Sequence, residues 1–410
     1  MKILFVEPPK DLWFVMGEYT PPPPGILQLA AFIESRMPEI DVEVLDCQAE
    51  LVGWNKLAKR IENFEPDMVV SIALATCNTY IVLRTLDTVK KIDPDIKTVV
   101  GGQHFTALAQ ESLEDYSEID FIIRGEGELT LLDLVQTIGD KKAPLKVRGI
   151  SYRHNGKVIH NLDRPLIDNL DDLPFPGYHF VEDHIDKYHF KMMACPNAGY
   201  AMVEASRGCV HKCTFCSQWP YWGGKWRSKS PERIADEMAH IYNEYDISFL
   251  WLTDDNLGLG KKTSAICDEL IKKDVTDDLT WFLQARSDDI IKNAKILPKL
   301  RKAGNYWIMA GLERHDDNTL NKYQKGIKPS NSKLSMDLLK ENGIFSQATL
   351  IMGDRNDSHS SLQDFREYVN YVDPDLAIFM VLTPFPGTDL YKTAREKGWL
   401  QEVIEISTAV

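Results

Sequence analysis

The sequence predicts an α/β protein in two parts: a doubly wound parallel sheet followed by a partial (β/α)6 barrel. Three observations carry this. The first 145 residues alternate short apolar runs with helical segments in strict βα order. From about residue 200 the alternation resumes, with longer helices and six units, two short of a complete eight-unit barrel. Between them, 146–195 breaks the pattern.

In the first part strands are expected at 3–6, 42–45, 68–74, 98–100 and 121–123, and helices at 25–35, 51–64, 80–92, 106–116 and 128–139. Ile26, Leu29, Ala30 and Ile33 share one helical face. The run 68–74 is almost continuously apolar, as in a parallel strand covered on both faces. Open sheets of this kind bind ligands beyond the carboxyl ends of their strands. Those ends carry Glu7-Pro8-Pro9, Ala75-Thr76-Cys77-Asn78, Gly101-Gly102-Gln103-His104 and Gly125-Glu126-Gly127-Glu128. Runs at 150–153 and 157–160 flank His154-Asn155-Gly156, a hairpin with an Asn-Gly turn. The stretch 163–188, rich in Asp, Pro and His, is expected to link two domains. Barrel strands are expected at 200–205, 248–253, 279–285, 305–311, 345–352 and 376–382. The helices fall at 231–245, 262–273, 288–303, 330–342, 359–372 and 388–397. The division is therefore 1–145, a hairpin and linker over 146–195, a barrel over 196–400, and a short tail over 401–410.

Composition narrows the function. Hydrophobic residues make up 44% and charged residues 26%, which excludes intrinsic disorder as the main state. A net charge of −14 disfavours nucleic acid and anionic membrane as partners. No apolar run is long enough to span a bilayer, and the opening MKILFVEPP is too short for a signal peptide, so a cytoplasmic location is expected. Seven cysteines in 410 residues make no disulfide framework; clustered ones read as ligands or catalysts.

One cluster is present. Cys209, Cys213 and Cys216 are spaced C-x3-C-x2-C in ASRGCVHKCTFCSQW, on the loop after the first barrel strand. Three thiolates so close can hold three irons of a cubane and leave the fourth open to a small molecule. A zinc site normally needs four closing ligands, and His211 lies inside the tight loop. Three unligated cysteines are the plain alternative. Phe215, just before the third cysteine, is placed to shield a cluster from water. Cys47, Cys77, Cys195 and Cys267 share no ligand spacing and are expected to be small buried hydrophobes.

RGCVHKCTFCSQ resembles the signature of radical S-adenosylmethionine (SAM) enzymes, and the preceding domain resembles a Rossmann-like cobalamin-binding domain. The ordered markers GGQH (101–104), RGEGE (124–128), RSKSPE (227–232), LTDDN (252–256), AGLER (310–314) and PFPGTDLY (384–391) resemble the cobalamin-dependent radical SAM class over about residues 1–400. The resemblance implies a 4Fe-4S cluster, SAM and cobalamin (vitamin B12) as cofactors, and an external electron donor. The open iron would bind the amino and carboxylate groups of SAM. Reductive cleavage would give a 5′-deoxyadenosyl radical that takes hydrogen from an unactivated carbon, and methylcobalamin would deliver the methyl group.

The resemblance also implies site residues. Asp254 and Asp255, Arg286, Glu313 and Gly353 end successive barrel strands. Arg286 would pair with the SAM carboxylate, and Asp254 or Glu313 with the ribose. Capping of the following helices is the competing role, better suited to Asp288 and Asp316. Family members often continue the fifth strand as Gly-x-Pro; here it reads Gly353-Asp354-Arg355. For cobalamin, the first domain lacks Asp-x-His-x-x-Gly, the motif that supplies a lower cobalt ligand in one class. Leu74, Ala75, Thr76 or Cys77 would then face the lower side of the corrin. A weak or absent lower ligand would ease homolysis and favour methyl transfer as a radical. Gly101, Gly102, Gly125 and Gly127 let backbone approach the nucleotide tail, and His104 is placed to touch it. Glu126 and Glu128 read as favourable residues at a helix start. Trp219, Tyr221, Trp222 and Trp226 suit either the substrate wall or packing, and Tyr306, Trp307 and Tyr323 are candidates for the barrel interior.

The expected activity is C-methylation, with radical cyclisation or rearrangement as a second enzymatic reading and a corrinoid and iron–sulfur sensor as a third. The acceptor is expected to be a peptide, a protein or a small molecule. Among proteins, the resemblance extends to enzymes that C-methylate methyl-coenzyme M reductase, for example at a glutamine; among small molecules, natural-product and tetrapyrrole precursors fit.

Overall fold

The computed structural model describes residues 1–10, 19–190 and 199–400. The chain begins with β1 (Lys2–Glu7), the short β2 (Tyr19–Thr20), α1 (Pro24–Arg36), β3 (Asp41–Asp46), α2 (Trp54–Phe64) and β4 (Met68–Ile72). It continues through α3 (Thr79–Ile92), β5 (Lys97–Gly101), α4 (Gln103–Ala107), α5 (Ala109–Asp115), β6 (Phe121–Ile123) and α6 (Glu128–Gly139). The hairpin β7 (Ile150–His154) and β8 (Lys157–His160) follows. Except for β2, these strands form one sheet ordered β3-β1-β4-β5-β6-β7-β8. The first five are parallel, and the hairpin adds two antiparallel strands at the β6 edge. The chain reverses direction across the sheet between β1 and β4, which is where a crevice opens in such sheets. The buried strand residues Ile3, Phe5, Val70 and Val99 pack on the α1 face through Ile26, Leu27 and Ile33.

Two expected helices differ. Leu51 is left-handed (φ 54°), so α2 starts only after Gly53. The segment expected as one helix over 106–116 breaks at Leu108 into α4 and α5.

The second part contains β9 (His189–Phe190), which pairs with β2, then β10 (Tyr200–Val203), β11 (Ser206–Arg207), α7 (Gln218–Tyr221) and β12 (Arg227–Ser228). It proceeds through α8 (Pro231–Tyr245), β13 (Phe249–Leu252), α9 (Lys261–Lys272), β14 (Thr280–Ala285), α10 (Ser287–Lys292) and α11 (Leu297–Lys302). It ends with β15 (Asn305–Glu313), α12 (Asp317–Lys322), α13 (Ser332–Glu341), β16 (Phe345–Met352), α14 (His359–Val372), β17 (Leu376–Val381) and α15 (Asp389–Glu396). Six parallel strands run in chain order, β10-β13-β14-β15-β16-β17, so the barrel is partial. Pro298 has no N–H to give to a preceding turn, and the helix expected over 288–303 splits into α10 and α11.

Near their amino ends the barrel strands carry a plug of rings: Phe190, Tyr200, Phe249, Phe282 and Trp307 are buried together. Phe282 stacks on Trp307 at 4.6 Å between centroids and on Phe249 at 5.6 Å. Burying a ring of this size stabilises the fold by roughly 1.5–3 kcal/mol. The plug closes one end and leaves the carboxyl ends as the open mouth. The linker ties the halves: the Tyr178 hydroxyl donates to the Met202 carbonyl at 2.7 Å and accepts from its N–H at 2.9 Å. The Tyr188 hydroxyl donates to Asp46 at 2.9 Å.

Candidate active site

The carboxyl ends of both sets of strands open into one cavity of about 780 Å³. Cys209, Cys213, Phe215, Cys216, Arg286 and Glu313 line it from the barrel, and Leu74, Ala75, Gly101, Gly102, Gly125 and Gly127 from the sheet. Twelve residues singled out in the sequence, from six separate stretches of chain, thus share one space.

The cysteine loop leaves β11 through Gly208, which has φ +95°. A Cβ there would lie 2.0 Å from the Lys225 carbonyl oxygen, so only glycine fits before Cys209. The loop is pinned to the barrel at its middle. Thr214 N–H donates to Tyr323 O, and Leu390 N–H donates to Thr214 O, each at 3.0 Å. Phe215 meets the Tyr323 ring edge-on at 5.3 Å. None of the three cysteines is in a disulfide. Burial raises all three thiols, Cys216 to about 12, so they are protonated unless a metal's charge takes the proton's place. Among the described residues no three His, Cys, Asp or Glu side chains converge on a position for a single metal ion. Three free thiols on one short loop of the cavity wall fit the ligand set of an iron–sulfur group.

The strand ends behind the loop are ionic. Arg286 Nε donates to Asp288 Oδ1 at 2.9 Å, and its Nη2 donates to the Lys325 carbonyl at 2.8 Å. Asp288 thus holds an arginine, whereas Asp316 does cap α12, accepting from Thr319 N–H at 2.7 Å. Glu313 sits at an irregularity in the β15–β16 register, with φ +60°. It accepts a hydrogen bond from Lys325 Nζ at 2.6 Å. Burial pulls the Lys325 ammonium down and Glu313 and the Cys213 sulfur push it up, with a net rise. Lys325 lines the cavity and was missed from sequence: a lysine in a turn after a short helix looks like any surface lysine.

Two of the expected barrel residues lie off the cavity wall. Asp254 is buried away from the cavity, and Asp255 faces it instead. Both lie just past β13, which ends at Leu252, and the sequence alone does not say which of the two faces in. Burial raises Asp254 to about 7 and Asp255 to about 6; Asp255 also accepts from Gly208 N–H at 3.3 Å. Gly353 is off the cavity wall as well. Its N–H donates to Asp357 at 2.9 Å, and the next residue, Asp354, is held by Lys322 at 2.7 Å and the Tyr323 hydroxyl at 3.0 Å. That carboxylate draws the loop toward α12.

On the sheet side Gly102 has φ +96°, and a Cβ would lie 2.5 Å from the Ala73 carbonyl oxygen. Thr76, Cys77 and His104 do not line the cavity. Thr76 Oγ1 and His104 Nδ1 are 3.2 Å apart and satisfy each other, and Cys77 is exposed on the turn before α3, against the expectation of burial. Cys47 and Cys267 are buried as expected, and Cys195 lies outside the described residues. Glu7, at the end of β1, lines the cavity. Burial beside Asp46 raises its carboxyl to about 7, while Gln48 Nε2 donates to it at 2.8 Å. Tyr221 and Trp222 wall the cavity, whereas Trp226 packs with its Nε1 donating to Asn256 O at 3.0 Å. Trp307 belongs to the plug, Tyr306 is exposed, and Tyr323 is buried behind Phe215.

Residues 15–135 match the B12 binding domain family, and residues 203–369 match the radical SAM superfamily. The chain is 32% identical over 396 residues to an uncharacterized methyltransferase, PH0819, of Pyrococcus horikoshii, covering 96% of this chain and 83% of that protein. The chain belongs to the cobalamin-dependent radical SAM methyltransferase family. This enzyme is also 31% identical over 402 residues to the anaerobic magnesium-protoporphyrin IX monomethyl ester cyclase of Rubrivivax gelatinosus, covering 97% of this chain and 70% of that one. Its fold is that of radical SAM methyltransferase TsrM from Kitasatospora setae, solved with cobalamin and a 4Fe-4S cluster bound. There the TM-score is 0.78 at 16% identity, over 97% of this chain and 75% of that one. OxsB, solved with aqua-cobalamin and SAM, gives 0.79 at 17% identity, over 100% and 63%. The cofactors of the radical SAM enzyme described here are a 4Fe-4S cluster, SAM and cobalamin. Among the described residues no helix is long and apolar enough to cross a membrane.

Proposed function

We propose that this enzyme C-methylates an unactivated carbon, with the acceptor held between the barrel mouth and the sheet. The observation that carries the reading is the shared cavity: three free cysteines on one wall face glycine loops on the other. When bound, the cluster and SAM supply a hydrogen-abstracting 5′-deoxyadenosyl radical, and the corrinoid supplies the methyl group. The chain's own residues hold and orient. Cys209, Cys213 and Cys216 ligate three irons, and Phe215 backed by Tyr323 keeps water off that side. Arg286, fixed by Asp288, offers charge to the SAM carboxylate, and Asp255 and Glu313 offer acceptors to its hydroxyl groups. Gly101, Gly102, Gly125 and Gly127 admit a bulky nucleotide tail against backbone, while Leu74 and Ala75 present an apolar surface to the corrin. His104 does not line the cavity and its Nδ1 is engaged with Thr76 at 3.2 Å; the first domain carries no Asp-x-His-x-x-Gly motif.

The fate of SAM tests the reading. With reductant and acceptor, methylation yields both 5′-deoxyadenosine and S-adenosylhomocysteine. The 31% identity to a cyclase favours a second reading, radical cyclisation, which yields 5′-deoxyadenosine alone. Neither product would overturn both. For the acceptor, a glutamine-bearing peptide of methyl-coenzyme M reductase and tetrapyrrole or other small-molecule precursors are the probes. A mass gain of one CH2 identifies which of them is methylated.

A further inference from the structure

The cysteine segment is gripped by the first domain at both of its ends. Arg207 stands two residues before Cys209. Its Nη1 lies 2.8 Å from Glu126 Oε1, its Nη2 2.6 Å from Glu128 Oε1, and its Nε 2.6 Å from Glu204 Oε1. The Arg207, Glu126 and Glu128 side chains are each 5% exposed or less. Arg227 Nη1 reaches the same Glu126 carboxylate at 2.9 and 3.0 Å. At the other end, Ser217 Oγ donates to Gln103 Oε1 at 3.0 Å, and Gln103 Nε2 donates to Gln218 Oε1 at 2.6 Å. The Tyr221 hydroxyl donates to the Gly125 carbonyl at 2.8 Å.

Each grip lands beside a cavity glycine. Gln103 follows Gly101 and Gly102, and Glu126 lies between Gly125 and Gly127. Starting α6 does not account for this: a carboxylate favouring a helix N-terminus needs no buried arginine from another domain. Buried ion pairs are weak contributors to stability compared with apolar packing, and their best-attested use is to fix register. Domains joined by a linker otherwise move relative to one another.

We propose that Arg207, Glu126, Glu128 and Gln103 are positioning residues that clasp the cysteine segment to the glycine loops and set the separation of the cluster and cobalamin sites. The proposal rests on the functional reading above. A displacement of about 1 Å between reacting groups lowers rates by on the order of 10²-fold, so loss of the clasp uncouples radical formation from methyl transfer.

The test uses the loaded full-length enzyme, with SAM and dithionite as the only additions. The magnetic interaction between the reduced cluster and Co(II) reports their separation. Glu128→Gln and Gln103→Ala are expected to keep wild-type iron and cobalamin content and to change that interaction. Gln103→Ala removes hydrogen bonds without stranding a buried charge, so it remains decisive where the glutamate variant does not fold. Wild-type enzyme that takes up no cluster or no cobalamin overturns the functional reading, and the clasp with it. Wild-type enzyme that takes up both, beside a Gln103→Ala variant with unchanged magnetic interaction, overturns the clasp alone.

Discussion

The two walls of the cavity do the same task with different materials. The barrel wall is made of side chains: three thiols, an arginine, a lysine and carboxylates at strand ends. The sheet wall sets apolar side chains such as Leu29, Ile72 and Leu74 beside glycines at 101, 102, 125 and 127, where backbone can approach a ligand closely. A small charged ligand and a metal cluster are recognised by matched charges and donor atoms. A large neutral ring with a long tail needs room and amide groups. The two walls should therefore fail independently and by different routes.

The sharpest break is Cys213→Ala. Iron content, cluster absorbance and all 5′-deoxyadenosine formation should vanish, while cobalamin uptake persists. Full cluster absorbance in this variant would remove Cys213 from the ligand set. The counterpart on the other wall is Gly102→Ala, where the new methyl carbon would sit 2.5 Å from the Ala73 carbonyl oxygen. Cobalamin affinity should fall by about tenfold or more, and stability by about 1–3 kcal/mol, with the cluster intact. Equal loss of both cofactors would show that the walls are not independent.

A smaller effect separates neighbours on the barrel wall. Asp255→Asn should raise the KM for SAM by about tenfold, about 1.4 kcal/mol, because its side chain faces the cavity. Asp254→Asn should leave that KM unchanged, since it is buried behind the strand end. The reverse pattern would restore Asp254 to the site.

A further effect concerns the sheet wall and pH. Glu7 ordinarily titrates near 4.5 and in the fold near 7. The folded chain keeps a proton that the unfolded chain releases. Its contribution to stability is complete below about pH 4.5 and is lost as pH rises through 7. Glu7→Gln cannot ionise. Without cofactors, wild type should lose about 1–3 kcal/mol relative to Glu7→Gln between pH 4 and 8. A difference in Tm that does not move with pH would place Glu7 in a water-exposed setting.

The walls also differ in how much of them can be read from sequence. Cysteine spacing is a local property: C-x3-C-x2-C places three thiols on one short loop in almost any backbone, and the structure keeps them together. Gly102 and Gly208 were legible as glycines, but the reason for them, a carbonyl within 2.5 Å, comes from distant chain. Side-chain direction was not legible at strand ends. Asp254 and Asp255 are chemically the same, and the path of the chain beyond β13 chose between them. Glu126 and Glu128 carried a local explanation, helix initiation, that concealed Arg207 about 80 residues later.

By itself, then, the sequence determined the order of strands and helices, the partial barrel and the cluster loop, because hydrophobic periodicity and ligand spacing act over a few residues. Tertiary structure decided what depends on chain segments far apart. It turned Gly353 off the wall through Asp354 and brought Lys325 to Glu313. It also joined the cysteine loop to the glycine loops through Arg207 and Gln103. Such contacts depend on which strand ends meet across the domain interface, and no local pattern in the chain encodes that meeting.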